Sequence, residues 1–436
     1  MRVGRHLFSA VLILFIIHHS PAQEVNGRFG TSVYTWERFD TVGSSRTIAR
    51  AFQSMQLDIS HGDVQFQTSL LGALTLHDDF GDDGSIRTSK LMLRWKNIGQ
   101  LLDVSVGRVP VFAGVGIGTV DGGLIRANLM DRRVTLQAYG GGNVRSDLVM
   151  SGLSNLEKNF LIGAQATGDV ARNVRVGLSY VNRNVERDGY VATRPDSIGN
   201  PILVSVAPDS KAQQLIGADG RYEYLDLLTL YGRFDYDLNL AKSHRTQLHT
   251  RVRLNEKVNV TGEYIFREPQ IYYNSYFTVF EGSPSREYEG GVEYMPRPDM
   301  RTFLKYAYVQ FTDAVSRRLS AGAAWEYLSI GVSGANGYAG ELTSIDITAM
   351  YPLQDRMFIP TLGFAYSSYQ LDESNSARNG IYAGSLGLVA RPMEQFSVDA
   401  QVQWLRNPVA EHDVRLCVKL NYWFHTNLTF LGDESR

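Results

Sequence analysis

Apolar and polar residues alternate along most of the 436-residue chain. Near its end, the stretch VRLCVKLNYWF puts Val414, Leu416, Val418, Leu420, Tyr422 and Phe424 in one phase. Arg415, Cys417, Lys419, Asn421 and Trp423 fall in the other. The same period of two runs through residues 54–60, 64–70, 90–96, 174–180, 228–237, 258–266, 318–327 and 396–404. A period of two is that of an extended strand, whose successive side chains point to opposite faces. The runs reach about ten residues, longer than typical globular strands and enough for a tilted strand to cross a bilayer. Counting them predicts about 22 strands, with about 20 as the lower bound. No helical segment is predicted after residue 22.

The connections alternate in length. Short ones fall at 130–133, 255–257, 296–299, 354–356 and 391–394. Long ones fall at 77–87, 109–122, 140–158, 184–213, 268–285 and 372–379. Short turns on one rim and long loops on the other is the layout of a transmembrane β-barrel. Such a barrel also decides which strand face meets water. With about 22 strands its lumen is too wide for side chains to fill, so the polar face lines a wet interior and the apolar face meets lipid. Closure removes sheet edges, which lipid would not tolerate. The expected lumen-lining set is Arg94, Arg175, Arg221, Glu223, Arg233, Asp235, Arg251, Arg253, Glu263, Glu293, Lys305, Asp346, Asp399, Arg415 and Lys419. Trp36, Trp95, Tyr180, Tyr264, Tyr294, Trp325, Tyr351 and Trp404 are the expected interfacial girdles. The fold class is therefore all-β: a transmembrane antiparallel up-and-down barrel with short periplasmic turns and long extracellular loops. The alternative, a secreted all-β protein, would have shorter strands.

Composition and targeting sharpen this picture. Residues 1–22 read as a cleaved export signal: basic MRVGRH, an apolar run over 7–17, then Ser20-Pro21-Ala22. The barrel is then expected over 23–424, and a C-terminal periplasmic tail over 425–436. Cys417 is the single cysteine, so an exported chain carries no internal disulfide. The net charge is -2 with both signs interspersed, which points to no nucleic-acid partner.

Together these features resemble a Gram-negative outer-membrane β-barrel of the porin type, over about residues 28–424. The last strand, ending Tyr422-Trp423-Phe424, resembles the C-terminal signal by which such barrels are recognised. That implies the barrel assembly machinery as a partner, with Tyr422 and Phe424 as signal residues. Such chains normally end at the aromatic, whereas residues 425–436 follow here. Gly107-Arg108, then Gly114, Gly116, Gly118 and Asp121-Gly122, is similar to a strand-loop-strand pattern of several porin-like barrels. It implies a loop folded into the lumen, with Arg108 and Asp121 forming a pore constriction whose opposite charges set a transverse field. The alternative is an ordinary hairpin with a structural Arg–Asp pair.

The resemblance implies an outer-membrane channel for passive diffusion of small hydrophilic solutes or ions, bordered by lipid and lipopolysaccharide. It implies no cofactor, no metal and no catalytic group. A TonB-dependent transporter would need a plug domain, for which the mature start leaves no room. An outer-membrane hydrolase would need a histidine beside a nucleophile or carboxylate. His77, His244, His249 and His412 are the candidates, and none has a compelling nucleophile nearby in sequence. A third class is a scaffold or sheath around a periplasmic, secretion or electron-transfer partner. The acidic stretch DDFGDDG at 78–84 lacks the spacing of a defined calcium loop and reads as a solvated turn. The 184–213 loop is the longest and a candidate pore cap. Oligomeric state and solute are not legible in the chain.

Overall fold

A computed structural model describes residues 23–41, 44–77, 84–145, 147–149, 155–186, 189–195, 197–206, 211–271, 282–337, 340–371, 378–408 and 411–428. The export signal, residues 78–83 of the acidic stretch and residues 429–436 lie outside the described residues. The strands are β1 (Gln23–Thr41), β2 (Ser44–His61), β3 (Val64–His77), β4 (Ser85–Ile98), β5 (Leu102–Ala113), β6 (Gly116–Leu129), β7 (Val134–Asn143) and β8 (Phe160–Ala171). They continue as β9 (Val174–Asn184), β10 (Tyr190–Pro195), β11 (Pro201–Val206), β12 (Lys211–Tyr224), β13 (Leu228–Asp237), β14 (Lys242–Arg253), β15 (Val258–Arg267) and β16 (Ser285–Arg297). The last are β17 (Met300–Gln310), β18 (Val315–Ala324), β19 (Leu328–Gly337), β20 (Glu341–Met350), β21 (Phe358–Gln370), β22 (Asn379–Met393), β23 (Phe396–Arg406) and β24 (Asp413–Leu428).

All but β10 and β11 form one 22-stranded antiparallel sheet. β1 pairs with β2 on one side and with β24 on the other, so the sheet closes. β10 and β11 pair with each other, inside the long connection between β9 and β12. A strand spacing of about 4.8 Å and a tilt of about 40° give a backbone diameter of roughly 40 Å.

Alternation sorts the side chains. Leu93, Val106, Leu178, Phe234, Leu248, Leu304, Leu386, Val402 and Leu416 are exposed apolar residues on the outer face. The opposite parity carries buried Ser105, Ser179, Asp235, Asn259, Glu293, Ser397 and Asn421. This is the inverse of a soluble sheet, with the apolar face outside and the polar face around the lumen.

Two expectations need correction. β24 does not stop at Phe424. His425, Thr426, Asn427 and Leu428 stand opposite Asn26, Val25, Glu24 and Gln23 of β1, so residues 425–428 belong to the closing seam and not to a tail. Trp36 is not a girdle residue. It shares the parity of Arg28 and Tyr34, stacks on Tyr34 at 5.5 Å, and Tyr34 accepts a hydrogen bond from Arg415 on the lumen side. Trp95, Tyr294, Tyr351 and Trp404 are exposed.

Candidate functional site: a hairpin folded into the lumen

The β5–β6 hairpin leaves the wall. β4 accompanies β5 only as far as the Leu91–Arg108 pair, and β7 accompanies β6 only as far as Asn143–Val120. One further backbone bond, Val144 N–H to the Thr119 carbonyl (3.0 Å), ties β6 to the chain after β7, and the two arms pair with each other from Val109–Val120 to Ala113–Gly116. Gly107 makes the departure possible. Its φ is 119°, a conformation that favours glycine, and a Cβ there would overlap the Leu91 carbonyl oxygen.

The tip lies inside the barrel, against the wall formed by β7, β8, β9, β12 and β13. Val115 N–H donates to Ser179 Oγ (3.1 Å), and Gln137 Nε2 donates to the Phe112 carbonyl (3.3 Å). Arg233 Nη2 donates to the Gly114 carbonyl (3.5 Å), and Arg183 donates to that of Ile117. These wall groups alternate along their strands with outward Leu136, Leu178, Tyr180 and Phe234, which places the contact on the lumen side. Val109, Val111, Ala113, Val115 and Val120 form an apolar cluster with Met92, Tyr139, Leu161, Val181 and Leu215. Val111, Val120 and Leu161 are fully buried, each worth about 1.5–3 kcal/mol over an exposed state. Gly116 allows the closest approach, since a Cβ there would overlap the Tyr139 hydroxyl.

Leu161, Val181 and Leu215 explain what the sequence reading missed. They are lumen positions by parity, yet apolar. Each stands beside an outward apolar residue, as Leu161-Ile162, Tyr180-Val181 and Leu215-Ile216. Three breaks in the alternation on strands that meet in space (β8, β9, β12) were the available signal for an internal docking face.

Arg108 and Asp121 sit at the base of the hairpin and pair in a fork. Arg108 Nε and Nη2 donate to the two Asp121 oxygens at 2.7 and 2.6 Å. Nη1 donates to the carbonyls of Thr88 and Leu148, both at 3.0 Å. The Arg108 side chain is 1% exposed. It fills the gap that the departing hairpin leaves beside β4, where Thr88 N–H donates to the Leu148 carbonyl (2.9 Å). The hairpin does enter the lumen, but this pair does not face itself across the opening. Its charges are spent on each other and on the Thr88 and Leu148 carbonyls at the wall.

The other anticipated lumen residues lie on the inward parity, mostly in short ion pairs. These are Arg94–Asp103 (2.7 Å), Arg233–Asp235 (2.9 Å), Arg251–Glu293 (3.2 Å), Lys305–Glu289 (3.0 Å), Arg415–Asp413 (2.7 Å) and Arg221–Glu223. Arg253 is 4.0 Å from Asp226. Glu263 accepts from Gln247 (2.7 Å), Asp399 accepts from Asn421 (3.1 Å), and the Asp346 carboxylate leans over Gly331. Arg175 stands opposite Arg221, and Lys419 opposite Asp399. Tyr422 and Phe424 stack at 6.1 Å, and Phe424 stacks on Phe29 at 5.8 Å across the seam. Of the histidines, His244 is buried and bonded to Gln270 (3.0 Å), His249 stands opposite Glu263, and His412 lies by Trp404. The side chain of His77 lies outside the described residues.

The hairpin covers one side of the lumen only. A cavity of about 1150 Å³ remains between its free face and the wall of β1–β4 and β24. Its lining includes Pro110, Phe112 and Thr119 on the hairpin, and Arg28, Gln56, Asp58, Gln67, Lys90 and Trp423 on the wall.

No family model and no curated protein sequence matches the chain. Solved structures do. A double mutant of the ferric enterobactin receptor PfeA from Pseudomonas aeruginosa matches at TM-score 0.55 and 10% identity, over 91% of this chain and 80% of that one. OccAB4 of Acinetobacter baumannii matches at TM-score 0.44 and 11% identity, over 93% and 99% of the two chains. A BenF-like porin from Pseudomonas fluorescens Pf-5 matches at TM-score 0.43 and 8% identity, over 93% and 99%. At such identities the likeness is one of fold, and the PfeA match carries it.

Proposed function

We propose that this protein is an outer-membrane channel through which small hydrophilic solutes and ions diffuse passively. The observation that carries the reading is the open cavity beside the inturned hairpin: the barrel is narrowed but not filled. The outward apolar face fits lipid, and the paired charges of the lumen suit a water-filled interior. In this reading the rim of short turns, where both β1 begins and β24 ends, faces the periplasm. The long connections then face outward toward lipopolysaccharide, and the aromatic seam of Tyr422, Phe424 and Phe29 is what the assembly machinery engages. No catalytic role is assigned to any residue.

Single-channel recording in a planar bilayer under a salt gradient tests it. Steady conductance is expected, rising severalfold when residues 110–118 are replaced by a short turn. Silence from folded protein, with and without the hairpin, would sink the channel reading. Weight would then move to a barrel sheathing a partner, to be sought by co-purification.

A further inference from the structure

The two walls of the lumen cavity are chemically unlike. One is the free face of the hairpin. Phe112 stands opposite Ile117 there, and the two are 76% and 55% exposed. The hairpin docks through its other face, so these side chains are not needed for docking. Bulky apolar groups turned toward water are a platform for something that arrives from solution.

The facing wall is a row across five neighbouring strands. Trp423, Arg28, Gln56, Ser69 and Lys90 stand side by side in register. The row has donor capacity to spare. Arg28 lies 5.3 Å over the Trp423 ring and donates to Asn421 Oδ1 at 2.9 Å, which engages only part of its fork. Lys90 has one long contact, 3.4 Å to Gln67. Among the described residues neither cation is in an ion pair, unlike Arg233 on the hairpin's docking wall, which pairs with Asp235 at 2.9 Å. The Asp58 carboxylate beside them is held by neutral amides, accepting from Gln65 and Gln67 at 2.6 Å each. Glu394 and His425 lie at the turn-rim end of the cavity.

We infer that this slot binds amphipathic organic anions. An acceptor group such as a carboxylate engages Arg28 or Lys90, which stand three strands apart along the row, and an apolar body rests on Phe112. As a statement about solute preference this rests on the channel reading. As a statement about binding it needs only the folded barrel.

Calorimetry on the detergent-folded protein compares four probes: 3-phenylpropionate, acetate, 3-phenylpropanol and 3-phenylpropylamine. The first should bind at least about tenfold more tightly than each of the others, because only it uses both walls. Phe112→Ser should reduce it to the level of acetate. Arg28→Gln with Lys90→Gln should reduce it to the level of the alcohol. Both variants alter exposed or lumen-facing groups, and the four-probe comparison in the unaltered protein stands without them. Equal binding of acid and amine would overturn the anion preference. Equal binding of 3-phenylpropionate and acetate would overturn the apolar platform. In bilayers 3-phenylpropionate should block the current of the unaltered protein and not that of Phe112→Ser. Conductance without preferential binding would overturn the slot and leave the channel. Preferential binding without conductance would overturn the channel and leave the slot.

Discussion

Arg108 and Asp121 stand where β5 and β6 part from their neighbours, and that position decides what their charges do. A strand that leaves a sheet strands the carbonyls of the strand beside it, and buried carbonyls need donors. A guanidinium is suited to the gap because its fork grips a carboxylate while another nitrogen serves backbone oxygens. Removing one partner of a buried, hydrogen-bonded pair typically costs about 3–5 kcal/mol. Arg108→Ala should therefore destabilise the barrel by about that amount, read as a lower urea midpoint for unfolding from detergent. Arg108→Lys should recover only part of the loss, since lysine lacks the fork. A changed reversal potential with unchanged stability in Arg108→Ala would instead make the pair a charge filter.

At the level of the element, the hairpin is held by an apolar clutch against a wall that is otherwise polar. Its tightest point is Gly116 over the Tyr139 ring, whose buried hydroxyl has no hydrogen-bond partner among the described residues. An unpaired buried hydroxyl is a cost of about 1–3 kcal/mol to the folded state. Tyr139→Phe should accordingly leave stability unchanged or raise it by about 1 kcal/mol. Gly116→Ala in the native background should loosen the hairpin and add noise to the open-channel current. Combined with Tyr139→Phe, the same substitution should be quieter, because the atom it strikes first is gone. Equal noise in the single and double variants would place the hairpin's anchorage elsewhere.

At the level of the whole molecule, closure and parity make neighbouring residues live in different solvents. Val402 is 47% exposed on the outer face at the middle of β23, while Gln401 points into the lumen. A cation at mid-depth on a lipid-facing strand costs about 2–4 kcal/mol, and a lumen position tolerates it. Val402→Arg should destabilise folding into lipid vesicles by about that amount, and Gln401→Arg should have almost no effect. Equal effects would contradict a membrane-spanning barrel.

The alternation of residues such as those in 414–424 was enough to determine strands, their number and which face is apolar. Period two is a local property, and a wide closed sheet leaves one arrangement that keeps charge out of lipid. The glycines around Arg108 and Asp121 likewise marked a chain able to turn inward. The sequence could not say where that pair would end up, because parity along one strand does not reveal where two strands separate. Nor did it reveal the docking face, since Leu161, Val181 and Leu215 lie far apart along the chain and meet only through the register of β8, β9 and β12. The slot between Phe112 and the Arg28–Lys90 row exists for the same reason. Its two walls are brought opposite each other by closure of β1 on β24 and by the fold of one hairpin, and both are tertiary events.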